Sequence, residues 1–183
     1  PHPGEVFFNI PSRKVDNYAS VPEMSSPIIK DEVVNRIKDI NRNPLDFILI
    51  NFANPDMLGH TGNFRATVRG NEICDDLCSH VGKATIEAGG ALVVTGDHGN
   101  CETIINRVTK EIDIAHTSNP VPLVVVNTLQ EITPAKGVPQ LKIGTGPKSR
   151  TTGILADVAP TILGLLGMEI PANMTGIDLR PVL

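Results

Sequence analysis

One stretch of the sequence, residues 47–62, joins the predicted fold to the predicted chemistry and reads FILINFANPDMLGHTG. Its first four residues are apolar and predict a buried strand, which the Asn, Pro and Gly residues of the following turn bring to an end. The turn carries Asp56 and His60, and a spacing of four residues points both side chains to one side of a helical turn. A carboxylate and a neutral imidazole together suit a divalent cation of borderline hardness, such as Mn or Zn. An Asx turn beside a capping or surface histidine is the alternative explanation of this pair.

Two later loops offer the same kinds of side chain. Asp97 and His98 follow a second apolar strand, predicted over residues 91–95, and a glycine stands on each side of the pair. Adjacent side chains face opposite ways in an extended strand, but in a glycine-flanked turn both can converge on one ion. A helix N-cap or a simple surface turn is the alternative for this pair. His116 adds a third imidazole just before the strand predicted over residues 121–126. We therefore expect the three loops to meet at one metal site.

Apolar strands alternate with helical patterns along the chain, which predicts an α/β fold with a mostly parallel, covered sheet. The predicted strands are residues 46–52, 91–95 and 121–126. Three helices are predicted. The first is residues 26–40, begun by a Ser26 cap and Pro27. The second is a long helical segment after the loop that ends at Gly62, best supported over residues 71–88 and ended by Gly89-Gly90. The third is residues 154–166, ended by Gly167. A hairpin is predicted from residues 102–106 and 110–114. In such sheets ligands gather outside the carboxyl ends of the strands, so Asp56 and Asp97 are expected at the same edge.

The length of 183 residues predicts a single domain over residues 1–183, with an irregular lead-in over residues 1–25. Residues 128–153 are predicted to form loops with one edge strand. Residues 144–148, GTGPK, superficially resemble a phosphate loop but lack its Gly-Lys-Ser/Thr ending, which favours an exposed loop. The first residue is not Met, so we expect a piece of a longer protein.

The overall charge and the cysteine content exclude several classes of protein. A net charge of −4 leaves no basic footprint for nucleic acid and no strong attraction to an anionic membrane. No apolar run reaches the roughly 18 residues that cross a bilayer. Three cysteines are an odd number and indicate a reducing, cytoplasmic setting. A thiolate zinc site would need closer cysteine pairs and a fourth ligand, so Cys74, Cys78 and Cys101 are interpreted as reduced packing residues.

Four segments resemble, almost letter for letter, the signatures of cofactor-independent (2,3-bisphosphoglycerate-independent) phosphoglycerate mutase. They are residues 51–62, 94–102, 116–122 and 155–161, and the short segment 22–25 is similar as well. That family belongs to the alkaline phosphatase superfamily and interconverts 2- and 3-phosphoglycerate in glycolysis through a phosphoserine intermediate, with two Mn(II) ions. The resemblance implies an alkaline-phosphatase-like, three-layer α/β sandwich, of which this chain would be the C-terminal part.

The resemblance also implies roles for individual residues. Asp56, His60 and His116 would hold one manganese, and Asp97 and His98 would supply part of the second site. Two cations a few ångströms apart can activate an attacking oxygen and neutralise charge on a transferring phosphoryl group.

The chain departs from the family in what it lacks. The nucleophilic serine and a further aspartate of the second site come, in the family, from an N-terminal segment followed by an inserted domain. Neither that segment nor the basic cluster that grips the substrate is found here. Arg65 is a smaller departure, because relatives often carry an acidic residue there. No catalytic nucleophile is therefore expected within this chain, which alone should be inactive.

The leading hypothesis is thus an isomerase that acts on phosphoglycerate, binds neither nucleic acid nor membrane, and is a monomer at full length. A metal-dependent phosphohydrolase of the same superfamily is the first alternative, because water could attack a phosphorylated nucleophile supplied elsewhere. The second alternative is an inactive metal-binding fragment.

Overall fold

The computed structural model describes residues 2–106, 108–127 and 151–182. The chain forms two compact units, one of Pro1–Gly89 with His98–Asn119 and the other of Gly90–Asp97 with Pro120–Leu183. The prediction of a single, incomplete domain stays a prediction. Most of the predicted loop region, residues 128–150, and with it the segment 144–148, lies outside the described residues.

Three α-helices build the first unit: α1 (Ser26–Lys38), α2 (Asn54–Gly59) and α3 (Phe64–Glu87). Both α1 and α2 pack against α3. The residues at this shared interior are aliphatic, in keeping with an aromatic content of 3%. Its buried members are Val33, Ile37, Leu58, Ala66, Leu77, Val81 and Ala84.

The start of α1 (Ser26–Lys38) differs from the predicted cap. The Ser26 hydroxyl does not cap the helix but donates to the carbonyl of Glu23 at 2.6 Å. The N-cap residue is Ser25, and its hydroxyl donates to the carbonyl of Pro11 at 2.9 Å instead of accepting from the helix. Both hydroxyls therefore tie the helix to the lead-in, whose only regular element among the described residues is a 3₁₀ turn. The predicted serine cap was wrong because backbone carbonyls of the lead-in, one local and one distant in sequence, compete for the hydroxyls.

Helix α3 begins at Phe64, directly after the loop as predicted and seven residues before the best-supported part of the predicted segment. Its N-cap is Asn63, whose side-chain oxygen accepts from the N–H of Ala66 at 3.0 Å. The buried face of its first two turns includes Thr67 and Gly70, so this part of the helix lacks the aliphatic periodicity by which a helix is predicted from sequence. A Cβ on Gly70 would lie 2.1 Å from a methyl carbon of Leu58, so this glycine permits close packing of α2. The predicted end is confirmed, since Gly89 follows the helix with a φ of +78°.

The segment predicted as the first buried strand, residues 46–52, is not a strand in this structure. Its side chains alternate in burial as an extended chain requires, but Phe47 is 55% exposed and Leu49 is 85% exposed. A strand is defined by its hydrogen-bonded neighbours, and the described part of the chain provides none beside this segment. Local apolarity therefore predicted the conformation but could not supply the pairing.

The predicted hairpin of residues 102–106 and 110–114 is confirmed in reduced form. A single antiparallel bridge joins Ile105 to Ile112, and the N–H of Asp113 donates to the carbonyl of Ile104 at 2.8 Å. The first residues of the predicted strand instead form a 3₁₀ turn, Cys101–Thr103.

The second unit contains two strands, β1 (Ala91–Thr95) and β2 (Leu123–Asn127), close to their predicted positions. They pair antiparallel, with Val93 opposite Val125, so this pair differs from the predicted parallel arrangement. A parallel pair needs a long crossover, usually a helix. The described residues between β1 and β2 carry a hairpin and a 3₁₀ turn but no α-helix. Apolar runs indicate burial and leave strand direction open, so the mostly parallel arrangement of the whole sheet stays a prediction.

The predicted last helix consists of a 3₁₀ turn, Leu155–Asp157, that continues into α4 (Val158–Leu165). Asp157 is 4% exposed, and its two carboxylate oxygens accept from the N–H groups of Ile154 and Ile177, each at 2.8 Å. These hydrogen bonds hold the pKa of Asp157 below its ordinary value. One ionised side chain thus ties the tail of the chain to the start of α4.

We expect Asp157→Asn to lower the melting temperature by several degrees at pH 7, because an amide offers one acceptor where two N–H groups need one each. A carboxyl group whose pKa is lowered by folding stabilises the protein above its unfolded pKa of about 3.9 and loses that effect as the pH falls through its folded pKa. The difference in melting temperature between wild type and variant should therefore shrink below about pH 4. Thermal melts followed by circular dichroism from pH 7 to pH 3 measure this difference, and the substitution Asp75→Asn at an exposed position is the control. Melting curves that stay equally separated at every pH would contradict the role of the carboxylate.

Among the described helices, none combines the length and the apolar character that crossing a bilayer requires.

Candidate metal centre

The first unit brings Asp56, His60 and His116 together. Asp56 lies in the first turn of α2, and His60 is the C-cap residue of the same helix, with its N–H bonded to the Asp56 carbonyl at 3.0 Å. The Oδ1 atom of Asp56 is 3.2 Å from Nε2 of His60 and 3.1 Å from Nε2 of His116. The two Nε2 atoms are 2.9 Å apart. Three potential ligand atoms from positions 60 residues apart in sequence thus form a nearly equilateral triangle.

The size of this triangle fits a bound cation. The Oδ1 atom of Asp56 is buried and has no hydrogen bond of suitable geometry, although two imidazole nitrogens lie close to it. Neighbouring ligands of an octahedral ion with bond lengths of about 2.1 Å are about 3 Å apart. A buried oxygen without a hydrogen bond costs free energy, and a cation between the three atoms would remove that cost.

The tautomer of His60 favours metal binding. Its Nδ1 atom is 2.8 Å from the carbonyl oxygen of Ile114, which can only accept a hydrogen bond, so Nδ1 carries the proton. The lone pair of the neutral ring is then on Nε2, which faces Asp56 and His116. A backbone carbonyl that fixes the tautomer in this way is the usual support of a metal-binding histidine.

His98 lies beside the same cluster. Its ring stacks on that of His116, with 3.8 Å between centroids and 20° between planes. One ligand atom each from Asp56, His98 and His116 lie within 4.8 Å of one another. The two histidine loops are joined by an antiparallel bridge in which Gly99 and Thr117 exchange hydrogen bonds of 3.3 and 2.7 Å. The structure therefore gathers four of the five predicted ligands, and the ion that His98 would bind stays a prediction.

Asp97, the fifth predicted ligand, belongs to the second unit. Its role at a second metal ion stays a prediction. His80, in contrast, lies on the exposed face of α3, with its side chain 56% exposed.

Two residues near the site were missed by the sequence analysis, Asn100 and Glu102. Asn100 is 5% exposed, and its amide nitrogen donates to the Ile114 carbonyl at 3.3 Å. Partial burial alone would raise the pKa of Glu102, but hydrogen bonds, chiefly from Thr117 and Asn119, outweigh it and keep that pKa below its ordinary value. The side chain is therefore a carboxylate at neutral pH. Their signal in the sequence was their position in segment 94–102, whose resemblance to the family signature gave neither residue a role.

The three cysteines are reduced and partly buried. Burial raises the pKa of Cys74 to about 12, with smaller contributions from Cys78 and Cys101. Because the thiolate is the form that binds metals, a protonated thiol at neutral pH is a poor ligand.

Comparison with known proteins identifies the relatives of this chain. Residues 1–170 match the family model described as the Metalloenzyme superfamily. The 2,3-bisphosphoglycerate-independent phosphoglycerate mutase of Clostridium tetani is 41% identical over 179 residues, which are 98% of this chain and 32% of that protein. The same-named protein of Pseudomonas fluorescens is 40% identical, with the same two coverages.

A solved structure agrees with these relatives. It is a crystal structure of Leishmania mexicana phosphoglycerate mutase at low cobalt concentration, with 26% identity and a TM-score of 0.77. The match covers 97% of this chain and 32% of that one. The chain thus spans about a third of the length of the relatives it matches. The family resemblance predicted from the sequence is confirmed, and so is the α/β class. The match of the family model over most of the sequence establishes that the chain belongs to the Metalloenzyme superfamily.

Proposed function

We propose that this chain forms the metal-binding part of the active site of a cofactor-independent phosphoglycerate mutase, which interconverts 2- and 3-phosphoglycerate. The observation that carries the proposal is the convergence of Asp56, His60 and His116 around a buried oxygen that lacks a hydrogen bond. The names of the relatives support the choice of reaction. A metal cofactor is consistent with the family and with the donor atoms.

In this proposal Asp56, His60 and His116 hold one divalent ion, and Asp97 and His98 contribute to a second. Two bound cations would lower the pKa of an oxygen nucleophile and neutralise charge on the phosphoryl group. The residues of this chain act by orientation: the Ile114 carbonyl keeps the Nε2 lone pair of His60 directed at the cluster. The serine nucleophile and the basic residues that grip the substrate would come from outside residues 1–183.

We propose Mn(II) as the ion in both sites. Imidazole nitrogen and carboxylate oxygen suit manganese, cobalt and zinc alike. The resemblance to a family that uses two Mn(II) ions favours manganese among them. The Leishmania mexicana relative was crystallised at low cobalt concentration, which is compatible with a site of this hardness.

The same proposal extends to the fold and the setting. Residues 46–52 would pair with strands outside the described residues, completing a mostly parallel, alkaline-phosphatase-like sheet between two layers of helices. Their alternating burial supports an extended strand, and the exposed apolar side chains of Phe47 and Leu49 support a covering layer over that face. The complete protein would be a cytoplasmic monomer that binds phosphoglycerate and no nucleic acid.

Product analysis tests the reaction. The protein at its natural length, supplied with Mn(II) and 3-phosphoglycerate, should form 2-phosphoglycerate, observed by phosphorus NMR. Prior treatment with a chelator should abolish turnover, and added Mn(II) should restore it. Release of inorganic phosphate without formation of 2-phosphoglycerate would refute the mutase and favour a metal-dependent phosphohydrolase. Full turnover in the chelated protein would refute the metal mechanism. A protein that binds Mn(II) but converts no substrate would be a metal-binding module only.

A further inference from the structure

The side chain of Glu102 connects the two loops that carry His98 and His116. Its Oε2 atom accepts from the N–H of Asn100 at 2.7 Å, within its own loop. Its Oε1 atom accepts from the Thr117 hydroxyl and from the side-chain nitrogen of Asn119 at 2.9 Å, both in the second loop. The Gly99–Thr117 bridge joins the same two loops through their main chains. The Glu102 carboxylate therefore adds side-chain hydrogen bonds between the same two loops that the main-chain bridge already connects.

Asn100 extends this connection to the third metal-binding residue. Its side-chain nitrogen donates to the carbonyl of Ile114 at 3.3 Å, and the same carbonyl lies 2.8 Å from Nδ1 of His60. The Glu102 carboxylate holds the main chain of Asn100, and Asn100 in turn helps to fix the carbonyl that sets the tautomer of His60. The hydrogen-bond chain therefore runs from Glu102 to the imidazole nitrogen that faces Asp56.

The three groups around Glu102 are all donors to it, which requires a side chain with acceptors only. An ionised carboxylate satisfies that requirement with both oxygens. Glutamine has the same shape, but its NH₂ group would face either the Asn100 N–H or the two donors of the second loop. Glu102 is exposed, so water can replace a lost hydrogen bond, and the main effect of the substitution falls on the positions of the loops.

We propose that Glu102 is a positioning residue of the metal centre, which holds the loops of His98 and His116 at the separation that metal binding requires. This inference rests on the proposed metal centre described above. Glu102 would not touch the ion and acts through Asn100, Thr117 and Asn119. Partners of this kind typically contribute about 10- to 100-fold to metal affinity.

Titration of Mn(II) into the metal-free protein at its natural length tests the proposal by calorimetry. Glu102→Gln should weaken Mn(II) binding by about 10-fold or more. The control is Glu87→Gln, which removes an equal charge from the exposed end of α3 and should leave the affinity unchanged. Co(II) bound to the Glu102→Gln protein should also show altered visible absorption bands, because displaced ligands change its coordination. A general loss of stability would not change the spectrum of the bound ion.

A second pair of variants covers the case in which Glu102→Gln does not fold. Thr117→Val keeps the shape but removes one donor to the carboxylate and should weaken Mn(II) binding, whereas Thr117→Ser keeps the hydroxyl and should bind as wild type. Equal affinity of wild type, Glu102→Gln and Thr117→Val would overturn the role of Glu102 while leaving the metal centre intact. A wild-type protein that takes up no Mn(II) would instead refute the metal centre, and the role of Glu102 with it.

Discussion

Replacing His60 by alanine in the protein at its natural length is expected to reduce kcat/KM for the proposed substrate, phosphoglycerate, by roughly a thousandfold or more, because a bound cation supplies several kcal/mol of transition-state stabilisation. The Nε2 atom of His60 is one corner of the triangle with Asp56 and His116, and alanine leaves that corner empty. The side chain is 39% exposed, so its removal opens no cavity in the core. The metal-free variant should therefore keep the circular dichroism spectrum of the wild type. Asp97→Ala is expected to cause a comparable loss if Asp97 serves the second ion.

The matched control for His60→Ala is His80→Ala. His80 lies on the exposed face of α3, where its Nδ1 is 2.8 Å from the Asp76 carbonyl within the same helix. Its replacement should leave turnover unchanged. Near-normal turnover of a folded His60→Ala variant would refute the assignment of the first metal site. Near-normal turnover of Asp97→Ala would refute the role of Asp97 in the second metal site.

The second large effect is expected from Gly59→Ala, which should lower the free energy of unfolding by about 1–3 kcal/mol through overpacking. Gly59 is buried at the end of α2, and a Cβ there would lie 1.7 Å from Oδ1 of Asn100. Asn100 has little room to move, because it is 5% exposed and its side-chain nitrogen is bonded to the Ile114 carbonyl. Urea denaturation of wild type and variant measures the difference. Displaced Asn100 should also disturb the carbonyl that orients His60 and thus weaken Mn(II) binding.

A double-mutant cycle with Asn100→Ala identifies the cause of the stability loss that is expected from Gly59→Ala. Asn100→Ala alone removes the side chain that the new methyl group would strike, along with its hydrogen bond. If the steric conflict is responsible, Gly59→Ala should cost much less stability in the Asn100→Ala background than in the wild type. An equal cost in both backgrounds would contradict the close approach of Gly59 and Asn100.

The elements predicted best are those with a complete local signal. The end of α3 at Gly89 follows from the need for a left-handed residue after the helix, and the structure has it there. The first seven residues of the same helix had weaker support in the sequence, because Thr67 and Gly70 occupy its buried face where aliphatic residues were sought. The strand predicted over residues 46–52 has an apolar sequence but no partner in the described part of the chain. Pairing and strand direction depend on distant segments, which local patterns do not report.

The candidate site follows the same division. The donor chemistry was readable locally: Asp56 with His60 in one turn, Asp97 with His98 in another, and His116 before the last strand. The resemblance of those loops to one enzyme family allowed them to be grouped before any distance was known. Their roles as ligands stay predictions, and so does the place of Asp97.

The sequence by itself thus determined which side chains this protein can offer to a cation and which family it belongs to, because both depend on residue types at short spacings. The tertiary structure alone decided that Asp56, His60 and His116 lie about 3 Å apart. It also assigned Asn100 and Glu102 to the support of that cluster. The physical reason is that these distances depend on the antiparallel pairing of Gly99 with Thr117 and on tight packing at Gly59, contacts between segments far apart in the chain.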